Sequence, residues 1–272
     1  MKFLKTALII LSMIIPFFTI AADGLIMLKD SSPLDAREIS ADKDGNLYYF
    51  DGKQQFIVPK SFYSYVRIPK PDEIKRAEDS LSNGQYPEAE KMFRDAAVKY
   101  EYLGWKAFCV FGLAKALLMQ ERRDEAAAGI EKISKDHIDD PDFAQWQYME
   151  AFKLLAGIYV QQNLDEKAVA VLEEMIAAEK SEYIVFAYNL LGDIALKQGK
   201  ADAAELNYLQ AVIYGDKSIP ARAESVFKLA EMLKKRKDAT SKLYYEILKK
   251  DYPDSDWVKK VSEQVNTGVT GK

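Results

Sequence analysis

Ala77 and Ala89, Ala114 and Ala126, Ala156 and Ala168, and Gly192 and Ala204 stand twelve residues apart, each pair with a turn between its members. Four residues beyond the second member come Phe93, Ile130, Leu172 and Tyr208, and seven beyond it Ala96, Ile133, Met175 and Ala211. Steps of four and three keep all of these on one helical face. The segments ahead of the turns carry a matching set: Val110, Leu113, Ala114 and Leu117; Phe152, Leu155, Ala156 and Tyr159; Tyr188, Leu191, Gly192 and Ala195; Val226, Leu229, Ala230 and Leu233. Small residues let two antiparallel helices approach closely while larger ones fill the space beside them. A chain with this phase is expected to fold as stacked helix pairs.

The clearest unit spans residues 185–214, with Tyr188, Leu191, Gly192, Gly199, Ala204, Tyr208 and Ala211 in order. It resembles a tetratricopeptide repeat, whose pattern is an aromatic, a Leu-Gly step, then Ala and an aromatic four residues later. The resemblance implies a mostly α chain: an α-solenoid of about five helix pairs plus a capping helix over residues 70–265. The repeat distances from Ala77 onward, 37, 42, 36 and 38 residues, exceed the 34 of the standard repeat, so longer helices or connections are expected. In the first pair Glu73, Arg76 and Ser80 replace apolar positions, so its outward face should meet the strand module or solvent. The fifth pair has a turn one residue short, and Asp254 or Ser255 can cap a last helix that closes the array near Val265. The closing Tyr-Pro-Asp-Ser run, from Tyr252, is similar to bacterial envelope repeat proteins that assist outer-membrane assembly or the Tol-Pal system.

Ahead of the repeats, residues 23–69 alternate with period two and are broken by Asp44-Gly45 and Asp51-Gly52, dipeptides suited to tight hairpins. Short strands are expected at Leu25 to Lys29, Glu38 to Ala41, Leu47 to Phe50, Gln55 to Val58 and Phe62 to Ile68. They predict a small β-meander packed on the first helices, because a sheet of this size is marginal alone. Its rings, Tyr48, Tyr49, Phe50, Phe56, Phe62, Tyr63 and Tyr65, are read as the module's core and seam, with a recognition surface as the rival reading.

The first five residues hold Lys2 and Lys5, an apolar run follows from Thr6 to Ile20, and Ala21-Ala22 offers a small-residue cleavage site. That order predicts a secretory signal peptide over residues 1–22 and a periplasmic or secreted protein. The run is short for a bilayer span of about 20 residues and contains Pro16, so no integral span is expected after cleavage. Cleavage removes two lysines and takes the formal charge from −4 to −6, and nothing favours nucleic acid, which needs a concentrated basic face. Residues 266–272 read as a flexible tail.

No catalytic, metal or cofactor site is expected. Cys109 and His137 each stand alone, Cys109 on an apolar helix face and His137 in a charged connector. Ser225-Val-Phe-Lys228 matches the Ser-x-x-Lys string of penicillin-recognising enzymes, but lies in a repeat helix without that family's other motifs. Gly192 to Lys200 imitates a phosphate loop with the wrong spacing, and Gly199 is the expected inter-helix turn. A small-molecule site being absent, the resemblance implies binding of a protein or peptide on the concave wall of the leading helices. Carried over position by position, that wall holds Phe108, Phe111, Lys115, Lys153, Asn189, Asp193, Phe227 and Glu231. The rival packing of Phe108, Phe111 and Phe227 between repeats stays open. The expected function is an exported protein-protein interaction scaffold in a cell-envelope assembly. The alternative is a hydrolase or peptidoglycan-modifying enzyme with accessory repeats, and a third expectation is self-association through an exposed end of the array.

Overall fold

The computed structural model describes residues 22–133 and 143–261. The expected signal peptide before Ala22, His137 and the expected tail lie outside the described residues. The chain divides into two compact units, Met1–Ala151 and Phe152–Lys272.

In the first unit five antiparallel strands form one sheet: β1 (Ala22–Leu28), β2 (Pro33–Ala41), β3 (Leu47–Phe50), β4 (Gln55–Val58) and β5 (Tyr63–Arg67), in the order β4-β3-β2-β1-β5. All five expected strands are present. Four run as a meander, but the last does not add beside β4; it returns to the far edge and pairs with β1, Ile26 opposite Val66. Asp42 shapes the β2–β3 turn, its carboxylate accepting the backbone N–H groups of Asp44 and Asn46, while Gly45 takes a φ of 81°. Ile26, Ile39, Leu47, Val58, Tyr63 and Val66 fill the inner face. Among the rings, Tyr49 and Tyr63 are buried and Phe62 is exposed.

The connector between the second and third helices meets the end of the sheet at Val66 and Ile68. Trp105 Nε1 donates to the Ile68 carbonyl at 3.1 Å. Gly104, with φ 84°, lies so close to the Val66 carbonyl that a Cβ there would stand 2.5 Å from its oxygen.

The helices of this unit are α1 (Asp72–Ser82), α2 (Tyr86–Lys99), α3 (Lys106–Leu118) and α4 (Arg123–Ile133), followed by α5 (Phe143–Gln161). Pro71 precedes α1, whose first turn holds Asp72 and Glu73, an arrangement that suits a helix N-terminus. Ala77, Ala89, Phe93, Ala96, Ala114, Ala126, Ile130 and Ile133 are all buried, as their phase requires. Arg76 is exposed and Glu73 half-buried, the two lining a groove with Met92, Asp95 and Lys99 of α2, but Ser80 departs from expectation: it is buried and its hydroxyl reaches Met92 Sδ at 3.8 Å. The helix face turns inward there, so Ser80 belongs to the α1–α2 contact.

The second unit holds α6 (Asp165–Ala177), α7 (Ser181–Lys197), α8 (Ala201–Tyr214), α9 (Ala221–Lys235) and α10 (Ser241–Asp251). Ala156 and Ala168, with Leu172 and Met175, and Ala204, Tyr208 and Ala211 are buried in the same phase. Gly192 is the tightest contact: a Cβ on it would lie 2.4 Å from the Tyr208 ring. In the fifth pair Ala230 is followed eleven residues later by buried Ser241, the shortened turn passing through Lys237 at φ 58°. Residues 256–261 are helical. Trp257, Val258 and Val261 there pack with Tyr252 against Ala223, Val226 and Leu248, so the described part of the cap closes this end of the helices.

Candidate partner-binding surface

Three of the expected wall residues belong to the first unit, all on α3. Phe108 is only 8% exposed; Trp105 meets it edge-to-face at 5.5 Å and Lys70 Nζ sits 4.5 Å over its ring. It is a seam residue and leaves the binding surface. The cause is local: Lys70, tied to Glu78 at 2.9 Å, and Trp105, tied to Ile68, cover the first turn of α3. Phe111 is half-buried and Lys115 exposed one turn on, with its Nζ 5.2 Å from the Phe111 ring. This pair offers an aromatic face with a cation beside it.

In the second unit the wall residues lie on α5, α7 and α9. Lys153 is half-buried with its Nζ 5.4 Å from the Phe186 ring. Asn189 is 5% exposed and is fully used inside the fold: its Nδ2 donates to the Ala221 carbonyl at 2.9 Å and its Oδ1 accepts from Ser225 Oγ at 2.6 Å. Asn189 therefore leaves the surface as well, because its amide joins two successive leading helices. Asp193 accepts from the Tyr208 hydroxyl at 2.7 Å and from Lys228 Nζ at 2.6 Å, and Lys228 also reaches Glu224 at 2.6 Å. Burial and then the Asp193 acceptor hold the Tyr208 hydroxyl well above the usual phenol range. Phe227 packs against Trp257 with centroids 5.0 Å apart, and Glu231 accepts from the Tyr245 hydroxyl. Asp193, Phe227 and Glu231 are all half-buried, which leaves part of each side chain at the surface.

This geometry disposes of the Ser-x-x-Lys reading. Ser225 is fully buried and its hydroxyl points at Asn189, while Lys228 spans two carboxylates. Nothing sets the lysine to take a proton from the serine. Cys109 is fully buried and burial pushes its thiol up to about 12, which keeps it in the unreactive protonated form. Gly199, at φ 73°, closes the α7–α8 turn by accepting the geometry a side chain resists. Among the described residues no group of three His, Cys, Asp or Glu side chains could hold a metal ion.

Two members of this surface went unread. Lys228 lies 35 residues after Asp193, three short of the 38-residue step that carries Asp193 onto Glu231, so repeat phase gave no signal for their pairing. Trp257 stands only in the capping segment, where no repeat position announces its contact with Phe227.

Residues 74–141 match the family model described as Tetratricopeptide repeat. No curated protein matches the chain. Among solved structures, a MamA fragment from Desulfovibrio magneticus RS-1 is 16% identical, with 69% of this chain and 99% of that one covered and a TM-score of 0.48. Pseudomonas aeruginosa pilF is 17% identical over 71% of this chain and 80% of its own, at a TM-score of 0.49. YrrB, described as a TPR protein with an unusual peptide-binding site, is 14% identical over 70% and 90%, at 0.45.

Proposed function

We propose that this chain, whose residues 74–141 match the tetratricopeptide-repeat model, is an exported scaffold that holds a partner polypeptide on its leading helices, within a cell-envelope assembly. One observation carries the reading. The repeat-defining positions are consumed by packing, yet the leading helices still present aromatic and charged side chains at least partly to the surface: half-buried Phe111 with exposed Lys115 in one unit, and half-buried Asp193, Phe227 and Glu231 in the other. Rings flanked by charges of both signs suit a polypeptide better than a small metabolite, because an extended chain or helix supplies side chains to several shallow positions at once. No helix of the described residues is long and apolar enough to cross a membrane. Export is supported by the charged, apolar and small-residue order of residues 1–22.

The test is affinity capture from envelope extract with the partner identified by mass. Phe111→Ala combined with Lys115→Glu, or Phe227→Ala alone, should weaken capture at unchanged helical content, since side chains at a surface contribute to binding more than to folding. Capture of every parent partner by both variants would sink the reading. Intact mass of the exported protein checks localisation: a chain starting at Ala22 or Asp23 is expected, and retention of residues 1–20 would refute it.

A further inference from the structure

The sheet ends in two edge strands, β4 and β5, and their backbones are treated differently. At β5 the connector comes down on the Val66 carbonyl through Gly104. At β4 the hydrogen-bond phase of the hairpin leaves groups over. The Asp51 N–H donates to the Gln54 carbonyl at 3.2 Å, so 51 and 54 are the first hydrogen-bonded pair of the β3–β4 hairpin. Bonded and non-bonded pairs alternate from there, and the register runs without a shift through Phe50 with Gln55, Tyr49 with Phe56, Tyr48 with Ile57 and Leu47 with Val58. The backbones of Phe56 and Val58 are therefore used by β3, whereas the N–H and C=O of Gln55 and Ile57 point away from the sheet. No hydrogen bond among the described residues reaches those four groups. Apart from being short, β4 has none of the usual protections of an edge: Gln55 to Val58 holds no charge, no proline and no bulge. Ile57 is 38% exposed, and half-buried Phe56 stacks its ring on Tyr49 at 5.2 Å, on the β3 side only.

We propose that β4 is the contact between two copies of the chain, each β4 pairing antiparallel with the other about a two-fold axis at Phe56 and joining the two sheets edge to edge. Four unpaired backbone groups in a row call for another strand, and the register selects which one. A two-fold contact must be self-complementary. With the axis at Phe56, Gln55 of each copy lies opposite Ile57 of the other. These are the residues whose N–H and C=O face outward, so both are hydrogen-bonded pairs and all the free groups are satisfied. Moving the axis by one residue would set Gln55 against Pro59, which has no N–H, or Ile57 against Lys53 in the turn. Phe56 then falls in a non-bonded pair, where side chains stand closest, and meets its own image on the side that Tyr49 leaves open. The rings of Tyr49 and Phe56 thereby continue across the axis as one stack of four. Backbone and aromatic positions match their two-fold images in the same register. The helix residues proposed to hold a partner take no part, so pairing would offer two partner surfaces at once and raise avidity without a new contact to the partner.

Pairing can be read without any partner, so its failure and that of the scaffold reading are separable. Sedimentation equilibrium of the purified protein should show the average mass rising from one chain toward two with concentration, because a contact this small falls in the weak interface class. Ile57→Pro should hold it at one chain: it deletes an outward N–H that β3 does not use, at an edge position where proline is tolerated. Ile57→Lys keeps every hydrogen bond of the hairpin and should do the same. Both variants should melt like the parent at a concentration where the parent is a single chain. Under mild oxidation with diamide, Phe56→Cys should join two chains, since residues facing across a non-bonded pair have Cα atoms about 4.5 Å apart, within disulfide range. Gln54→Cys, on the same face but four positions from its image, should not, and Cys109 is buried and silent in both. Amide exchange at Gln55 and Ile57 should slow as concentration rises. A single-chain mass at every concentration overturns the proposal and leaves β4 to a strand of a different protein. So does a pair that ignores both Ile57 variants, or one that Gln54→Cys joins and Phe56→Cys does not.

Discussion

The sheet and the repeats of this protein are held by different kinds of contact. Between packed helices the fixing contacts are small residues set against large ones: Gly112 of α3 against Phe93 of α2, Gly192 against Tyr208 between α7 and α8. In the sheet they are single polar anchors across long stretches of chain. Tyr63 donates its buried hydroxyl to the Gly45 carbonyl 18 residues away at 2.7 Å, and Trp105 reaches back 37 residues to Ile68. The first kind is redundant, because each repeat rewrites the same contact. The second is not, and each anchor has one position in which it works. The repeats should thus fail by overpacking and the sheet by loss of a hydrogen bond.

The largest effect is expected at Gly192. Gly192→Leu must place a branched side chain where even a Cβ would lie 2.4 Å from the Tyr208 ring, and Tyr208 is fully buried with no room to turn. Overpacking of this kind costs about 1 to 3 kcal/mol. Lys200→Ala, at an exposed site just past the turn, should stay within about 0.5 kcal/mol. Thermal melts of the two variants decide it, and equal midpoints would mean that the α7–α8 contact is not the tight one. Gly112→Ala extends the test to the first unit, since its Cβ would come 2.5 Å from the Phe93 ring.

Next comes the sheet. Tyr63→Phe keeps the ring and removes only the hydroxyl, leaving the Gly45 carbonyl without that donor in a buried site, at a cost of about 1 to 3 kcal/mol. If the sheet were held by packing alone, as the repeats are, Tyr63→Phe would melt like the parent protein. Hydrogen exchange at β2 and β3 sharpens the comparison: it should quicken in this variant while α7 and α8 are unaffected.

How far each region could be read beforehand follows the same division. Helix pairing was legible because burial there is periodic, and Ala77, Ala114, Ala156, Gly192 and Ala230 fall where the phase puts them. The five strands were legible from alternation and from Asp44-Gly45 and Asp51-Gly52. The edge that β5 joins was not, since alternation says which face a residue takes and nothing about which neighbour a strand pairs with. Of the transferred positions, Phe111 and Lys115 keep exposure, whereas Phe108 and Asn189 are buried. Phe108 lies under Lys70 and Trp105, both products of the junction with the sheet, where no earlier repeat sets a precedent. Asn189 is a polar residue whose partners, Ala221 and Ser225, lie 32 and 36 residues on, and composition does not distinguish a wall amide from a buried one. Gly112 had a signal that went unused: a glycine inside a helix costs about 1 kcal/mol against alanine, which is tolerated where a ring must come close.

The smallest effect tests whether α1 and α2 hold an anchor of the sheet's kind, as Asn189 does between α7 and α9. Glu73 at the start of α1 accepts from Lys99 Nζ at 2.8 Å and from the Tyr100 hydroxyl at 2.9 Å, at the far end of α2. The Lys99 hydrogen bond foremost, with the Tyr100 bond and the lysine's charge, lowers the Glu73 carboxyl from 4.5 to about 2 against the opposing pull of burial. A carboxyl depressed on folding stabilises the folded state above its ordinary value, so this contribution is present above about 4.5 and is lost as pH falls toward about 2. Glu73→Gln removes the titration, and the fall of melting temperature with pH across that window should become shallower. Because the Glu73 side chain is 42% exposed, water screens the pair and the change in slope is small. It should shrink further in high salt, which a Gly192 or Tyr63 variant would not notice. A slope that steepens, or one indifferent to the substitution, would show that the Glu73 anchor contributes nothing and that α1 and α2 are joined by the packing of Ala77, Ser80, Ala89 and Phe93.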